Sequence, residues 1–120
     1  MSMVLLIDDE PGMGQLVRMS LDDDGARVVQ VKDLAEAIAA ARKERPSAVL
    51  LDLSLGNQDG LTLLPQLREE PSLTEVPIIV FTIHNSRERE AIEEGADGFV
   101  AKPFKAASLR DVIEEHIGSR

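Results

Sequence analysis

At 120 residues the chain suits one domain with a single sizeable core, and its formal charge of −9 at pH 7 leaves no basic face for nucleic-acid phosphates. The absence of cysteine excludes disulfides and thiolate metal sites and fits a reducing cytoplasm. No apolar run approaches the ~20 residues of a membrane span, and nothing resembles a signal peptide. The acidity is partly clustered, in Asp8-Asp9-Glu10 and Asp22-Asp23-Asp24. With Phe81, Phe99 and Phe104 as the only aromatics, the core must be built from aliphatic residues.

In chain order, Val4-Leu5-Leu6-Ile7 is a continuous apolar run of the kind buried on both faces of a sheet, and it ends on Asp8 and Asp9. Pro11 suits the first turn of a helix whose stripe is Leu16, Val17, Ser20 and Leu21, closing at Gly25. Ala26 to Val31 reads as a strand. Asp33, with Glu36 three residues on, caps a second helix with Leu34, Ala37, Ile38 and Ala41 inward, and Pro46 ends it. Ala48-Val49-Leu50-Leu51 is another buried run, and it stops on Asp52. A bare carboxylate is costly inside a core, so Asp52 belongs where its strand leaves the sheet.

Gly56, Asn57 and Asp59-Gly60 are turn formers, after which Leu61, Leu64 and Leu67 form a third helical stripe. Pro65 stands early enough in that helix to be tolerated. Residues 68–77 read as an exposed loop, and Ile78-Ile79-Val80-Phe81 as a fourth buried strand running into Thr82. Asn85 and Glu88 suggest the cap of a short helix with Ala91 and Ile92 inward, closed by Gly95. Gly98 to Ala101 is a fifth strand that delivers Lys102-Pro103, and the last helix turns Leu109, Val112, Ile113 and Ile117 inward.

Five strands alternating with five helices imply an α/β fold, a parallel sheet covered on both faces, and the doubly wound order 2-1-3-4-5 is expected. Ligands of such sheets bind beyond the C-terminal strand ends. Asp8, Asp9 and Asp52 would meet there, joined by Thr82 and Lys102 from strands 4 and 5. Three crowded carboxylates repel unless a cation is present, and an oxygen-only set suits a hard ion such as Mg²⁺. Lys102 adds a point charge and Thr82 a hydroxyl donor for phosphoryl oxygens, with Asp52 as the nucleophile of an acyl phosphate. Singly, each residue has a blander reading: a capping cluster for Asp8-Asp9-Glu10, a turn residue for Asp52, a solvated Lys102, a strand-end Thr82. His84 and His116 read as surface residues.

Ile7-Asp8-Asp9-Glu10, Leu50-Leu51-Asp52-Leu53, Asp59-Gly60, Phe81-Thr82 and the run from Gly95 to Phe104 resemble the receiver domain of two-component response regulators. The similarity covers essentially the whole chain, 1–120, and implies a flavodoxin-like, CheY-like fold. It implies Asp52 as acceptor of a phosphoryl group from a histidine kinase or phosphotransfer domain. It implies Asp8, Asp9, Asp52 and the Ser54 backbone carbonyl as Mg²⁺ ligands, Lys102 as the phosphate-binding lysine, and Thr82 and Phe99 as switch residues. The Lys102–Pro103 bond is often cis in receivers. The implied partner face is helix 4, strand 5 and helix 5, with a downstream protein or output domain there and homodimerisation in some members.

Against that pattern, Ile83 replaces a usually small residue and should hinder access to Asp52, while His84 occupies a position that tunes dephosphorylation. The segment from Thr82 to Phe99 is short, Gly56 stands where many receivers have Pro, and Lys105 where many have an acidic or hydroxyl cap. The competing readings are a docking pseudo-receiver that is never phosphorylated and a Mg²⁺-dependent aspartyl-phosphate phosphatase. Ser54 disfavours the second, since haloacid-dehalogenase-like enzymes carry an Asp there. With no output segment after helix 5, the chain is expected to be a stand-alone receiver or one excised from a longer protein.

Overall fold

The computed structural model describes residues 3–21, 27–83, 85–102 and 104–117. The expectations for Asp22-Asp23-Asp24, Gly25, Ala26, His84 and Pro103 lie outside them, as does that for the Ile117 side chain. Strands β1 (Met3–Ile7), β2 (Arg27–Val31), β3 (Ala48–Asp52), β4 (Ile78–Thr82) and β5 (Gly98–Ala101) form one parallel sheet. Its order is β2-β1-β3-β4-β5, the expected doubly wound arrangement. Every residue of β1, β3 and β4 is buried, which is why these segments read as unbroken apolar runs.

Helices α1 (Met13–Leu21) and α5 (Ala106–Ile117) cover one face, and α2 (Leu34–Lys43), α3 (Leu63–Glu69) and α4 (Glu88–Glu93) the other. Alternate strand residues divide accordingly. Leu6, Leu50, Ile79 and Phe81 pack with Val17, Leu21, Leu109 and Ile113. Ile7, Leu51, Ile78 and Val80 pack with Ala37, Ala41, Leu64, Leu67 and Ala91. Asp33 caps α2 by accepting from the Glu36 N–H at 2.8 Å. Gly95, at φ +115°, closes α4 as expected, with the Ala96 N–H reaching back to the Ala91 carbonyl at 3.0 Å. Pro65 is the third residue of α3, early enough to be tolerated at the cost of one backbone bond.

Several expectations need correction. On α1 the buried stripe is Met13, Val17, Ser20 and Leu21, and Leu16, 51 % exposed, lies outside it, because residues at i, i+4, i+7 and i+8 share the docked face. Ile92 is likewise exposed, and α4 buries Ala91 alone. A 3₁₀ turn at Asn85–Arg87 precedes α4, so Asn85 opens that turn and Arg87 stands at the helix N-cap. Residues 68–77 are not a wholly exposed loop: α3 runs on to Glu69, a 3₁₀ turn follows at Pro71–Leu73, and Glu70, Leu73 and Val76 are buried.

Polar residues bind that segment to the fold. Arg42 donates to the buried Glu70 carboxylate at 2.9 Å, and the Ser72 hydroxyl donates to it at 2.7 Å. These bonds, Arg42 first, pull the Glu70 carboxyl down to about 2. Arg68 donates to the carbonyls of Val76 and Gly95, each at 3.1 Å, and to the Asp97 carboxylate. His116, expected on the surface, is half-buried, with its two ring nitrogens each 2.8 Å from a carbonyl, of Val112 and of Asp97.

Candidate functional site

β1 and β3 are paired through Ile7 and Leu51, so the next residue on each chain, Asp8 and Asp52, leaves the sheet at the same edge. Both are buried, and by strand alternation both continue the α1/α5 face that Leu6 and Leu50 occupy. Lys102 follows β5, its backbone N–H donating to the Thr82 carbonyl at 2.8 Å. Its ammonium lies 3.2 Å from Asp52 Oδ2 and 3.4 Å from Asp8 Oδ2, bridging the two carboxylates. The same ammonium stands 4.5 Å above the Phe81 ring, which Phe104 meets edge-on at a centroid distance of 6.3 Å. Three chain ends and an aromatic floor thus converge on one cation.

Burial pushes the Asp8 carboxyl up to about 6, and the Asp52 charge adds to the rise; the Glu10 N–H and the Lys102 ammonium oppose it. Asp8 Oδ1 accepts that Glu10 N–H at 2.9 Å, and Asp52 Oδ1 accepts the Ser54 N–H at 3.1 Å. Each acid therefore has one oxygen held by its own loop and one turned to Lys102. Asp9 is exposed, and the loop after β3 approaches it closely enough that a Cβ on Gly56 would lie 3.4 Å from Asp9 Oδ2. Gly56 itself has φ +57°, the left-handed region.

Thr82 is fully buried at the end of β4, one residue beyond Phe81, the register partner of Asp52. Ile83 is 65 % exposed, so any shielding of Asp52 comes from a side chain largely in solvent. Phe99 is half-buried and packs on the α2–α3–α4 side of the core. Ser54, exposed, begins a two-residue antiparallel ladder in which Ser54–Leu55 pairs with Gln58–Asp59.

Three contributors escaped sequence reasoning. Gly60 backs directly on the β3 end: its N–H donates to the Leu53 carbonyl at 2.7 Å, and a Cβ there would sit 2.3 Å from the Asp52 carbonyl oxygen. The Asp-Gly pair signalled a turn but not this approach. Asp59 accepts both Arg87 Nη1 (3.0 Å) and Nη2 (2.8 Å), tying the loop after β3 to the segment before α4 and holding the Asp59 carboxyl below the usual range. Gln30 on β2 bonds the loop after β1, and a lone polar residue in a strand carries no signal of such a role.

The donor set suits a hard cation: carboxylate oxygens only, one of them exposed, beside a mobile ammonium. Among the described residues no three acids or histidines already form a cage.

The family described as the response regulator receiver domain matches the chain over residues 4–114. The probable transcriptional regulatory protein TcrX of Mycobacterium tuberculosis is 37 % identical over 113 residues, covering 92 % of this chain and 46 % of that protein. The chain thus spans less than half the length of that relative. Among solved structures, the receiver domain of NtrX from Brucella abortus matches with a TM-score of 0.85 at 32 % identity, covering 98 % of this chain and 99 % of that one. The receiver domain of sensor histidine kinase PA1611 from Pseudomonas aeruginosa PAO1 matches with a TM-score of 0.82 at 29 % identity, covering 98 % of each. That neighbour is described with a magnesium ion coordinated in its active site cleft.

Proposed function

Because the chain belongs to the response regulator receiver domain family of two-component systems, we propose that residues 1–120 form one receiver domain whose phosphoacceptor is Asp52. The reading rests above all on the Lys102 ammonium bridging Asp8 and Asp52 at 3.4 and 3.2 Å, at the C-terminal edge of a doubly wound sheet. That ammonium can pair with both carboxylates before transfer and with a phosphoryl oxygen after it.

Asp52 Oδ2 attacks the phosphorus of a partner's phosphohistidine. The new O–P bond forms as the P–N bond breaks, and the electron pair leaves on the imidazole nitrogen. Lys102, on a four-carbon stem, follows the charge from the free carboxylate to a phosphoryl oxygen. The Thr82 hydroxyl donates to a second oxygen, and that movement, with Phe99, passes the change to the face of α4, β5 and α5. Asp8, Asp9, Asp52 and the Ser54 carbonyl would hold Mg²⁺, which when bound neutralises the phosphoryl oxygens in the transition state. The Ser54 N–H holds Asp52 Oδ1 and the Lys102 ammonium faces Oδ2, which fixes the orientation of the carboxylate. Ile83 and His84 modulate access and phosphoryl lifetime. A histidine kinase or phosphotransfer protein is the donor, and a downstream protein or output domain reads the switched face.

Intact mass after incubation with Mg²⁺ and a phosphorylated phosphotransfer domain tests this. One labile phosphoryl adduct is expected, absent in Asp52→Asn and when EDTA replaces Mg²⁺. Wild type that binds Mg²⁺ yet accepts no phosphoryl group from several donors would sink the reading in favour of a docking domain.

A further inference from the structure

We infer that Gln30 is a positioning residue for the acidic pair, setting its affinity for a divalent cation without touching the cation. The inference rests on the proposed Mg²⁺ role of Asp8 and Asp9. Gln30 lies on β2, the strand beside β1, and its amide group makes three bonds into the loop that carries the pair. Nε2 donates to the Asp8 carbonyl at 2.7 Å and to the Glu10 carbonyl at 2.9 Å. Oε1 accepts the N–H of Gly14, at the start of α1, at 2.8 Å. Both amide protons are thus used, with no tautomeric or rotational alternative that keeps all three bonds.

These bonds prolong the sheet beyond its last ladder pair. β1 and β2 are in register through Ile7 and Val31, and the Asp8 N–H still donates to the Val31 carbonyl at 2.9 Å. From there the strand no longer supplies partners, and the Gln30 side chain takes over for the carbonyls of residues 8 and 10. Asp9 sits between those two anchored peptides. Its own side chain is exposed, so its aim is set by this backbone rather than by packing. A cleft of about 390 Å³ opens beside it, lined by Asp8, Asp9, Pro11, Gln30, Lys32 and Glu36 among others. Without the amide, the Asp8 carbonyl loses its side-chain donor and the Glu10 carbonyl keeps the longer bond from the Met13 N–H at 3.3 Å, so the loop that carries the pair is less firmly held before an ion arrives.

Gly14 supplies an independent handle. A Cβ there would stand 2.8 Å from Gln30 Oε1 and 3.3 Å from Gln30 Cβ. Gly14→Ala therefore displaces the amide oxygen from the Gly14 N–H, while raising helix propensity in α1. Metal affinity should then fall further than stability does, which a merely structural role does not produce.

The test uses Mn²⁺ as the probe, with free ion followed by electron paramagnetic resonance, and urea unfolding of the metal-free protein alongside. Gln30→Met is expected to bind Mn²⁺ about tenfold more weakly, within the range of outer-shell substitutions. Gly14→Ala is expected to bind several-fold more weakly with a urea midpoint that falls less than that of Gln30→Met. Exchange of the Gly14 amide hydrogen should accelerate in Gln30→Met. Folded Gln30→Met that binds within twofold of wild type overturns the inference; if that variant does not fold, Gly14→Ala binding as wild type overturns it instead. Wild type that binds no Mn²⁺ overturns the metal reading as well, and is told apart because the unmutated protein fails.

Discussion

Gly60→Ala gives a sharp test of how the acceptor is held. The added methyl would stand 2.3 Å from the Asp52 carbonyl oxygen, 2.9 Å from Leu53 Cα and 3.2 Å from the Asp52 carbonyl carbon, all backbone atoms that no rotamer change can move aside. Restoring ordinary contacts of ~3.5 Å needs roughly 1 Å of relative backbone movement. Overpacking of this kind costs about 1–3 kcal/mol. The lower entropy of an unfolded chain with Ala returns about 0.4–1 kcal/mol. A net loss of about 1–2 kcal/mol follows. With a urea slope of ~1–3 kcal/mol per molar, the unfolding midpoint falls by about 0.3 to 2 M. A ~1 Å misplacement of a reacting group also costs on the order of 100-fold in rate. Phosphoryl transfer to Asp52, followed by intact mass against time, should slow accordingly in protein that is still folded. A variant as stable as wild type that accepts phosphoryl groups at the wild-type rate would show that the turn does not press on Asp52.

Glu70→Gln should lower stability at neutral pH, and the deficit should shrink as the pH is lowered. The Glu70 carboxyl is depressed to about 2 by Arg42 and Ser72, so its contribution is full above about 4.5 and is lost as pH falls through that value towards 2. Melting temperatures from pH 7 downwards check this, and parallel curves for the two proteins would contradict it. Leu73→Ala, at a fully buried residue of a segment that looked like loop, should cost about 2–5 kcal/mol in urea unfolding. Thr74→Ala beside it, at an exposed position, should stay within ~0.5 kcal/mol. A double-mutant cycle on Asp59→Asn and Arg87→Gln should give a coupling of ~0.2–1 kcal/mol that fades in high salt, since both side chains are partly solvated. Coupling that persists in high salt would mean the pair acts through packing.

Much of this protein is written locally. Strands buried on both faces need unbroken apolar runs, and the runs ending at Ile7, Leu51 and Phe81 announced the sheet, its parallel order and the edge where Asp8 and Asp52 emerge. The positive-φ glycine closing α4 and the Asp33 cap were equally legible, because each bond is made within a few residues. The contacts between polar groups distant in the chain arise from the packing of the fold. Arg42 meets Glu70, Arg87 meets Asp59, Lys102 bridges Asp8 and Asp52, and Gln30 holds the loop after β1. A hydrogen bond between residues tens of positions apart leaves no periodicity, so 68–77 looked like loop and Gln30 like an ordinary strand residue. Leu16 and Ile92 were misread for a related reason: a helical stripe fixes which residues share a face, whereas the helix start and its docking decide which face is turned inward.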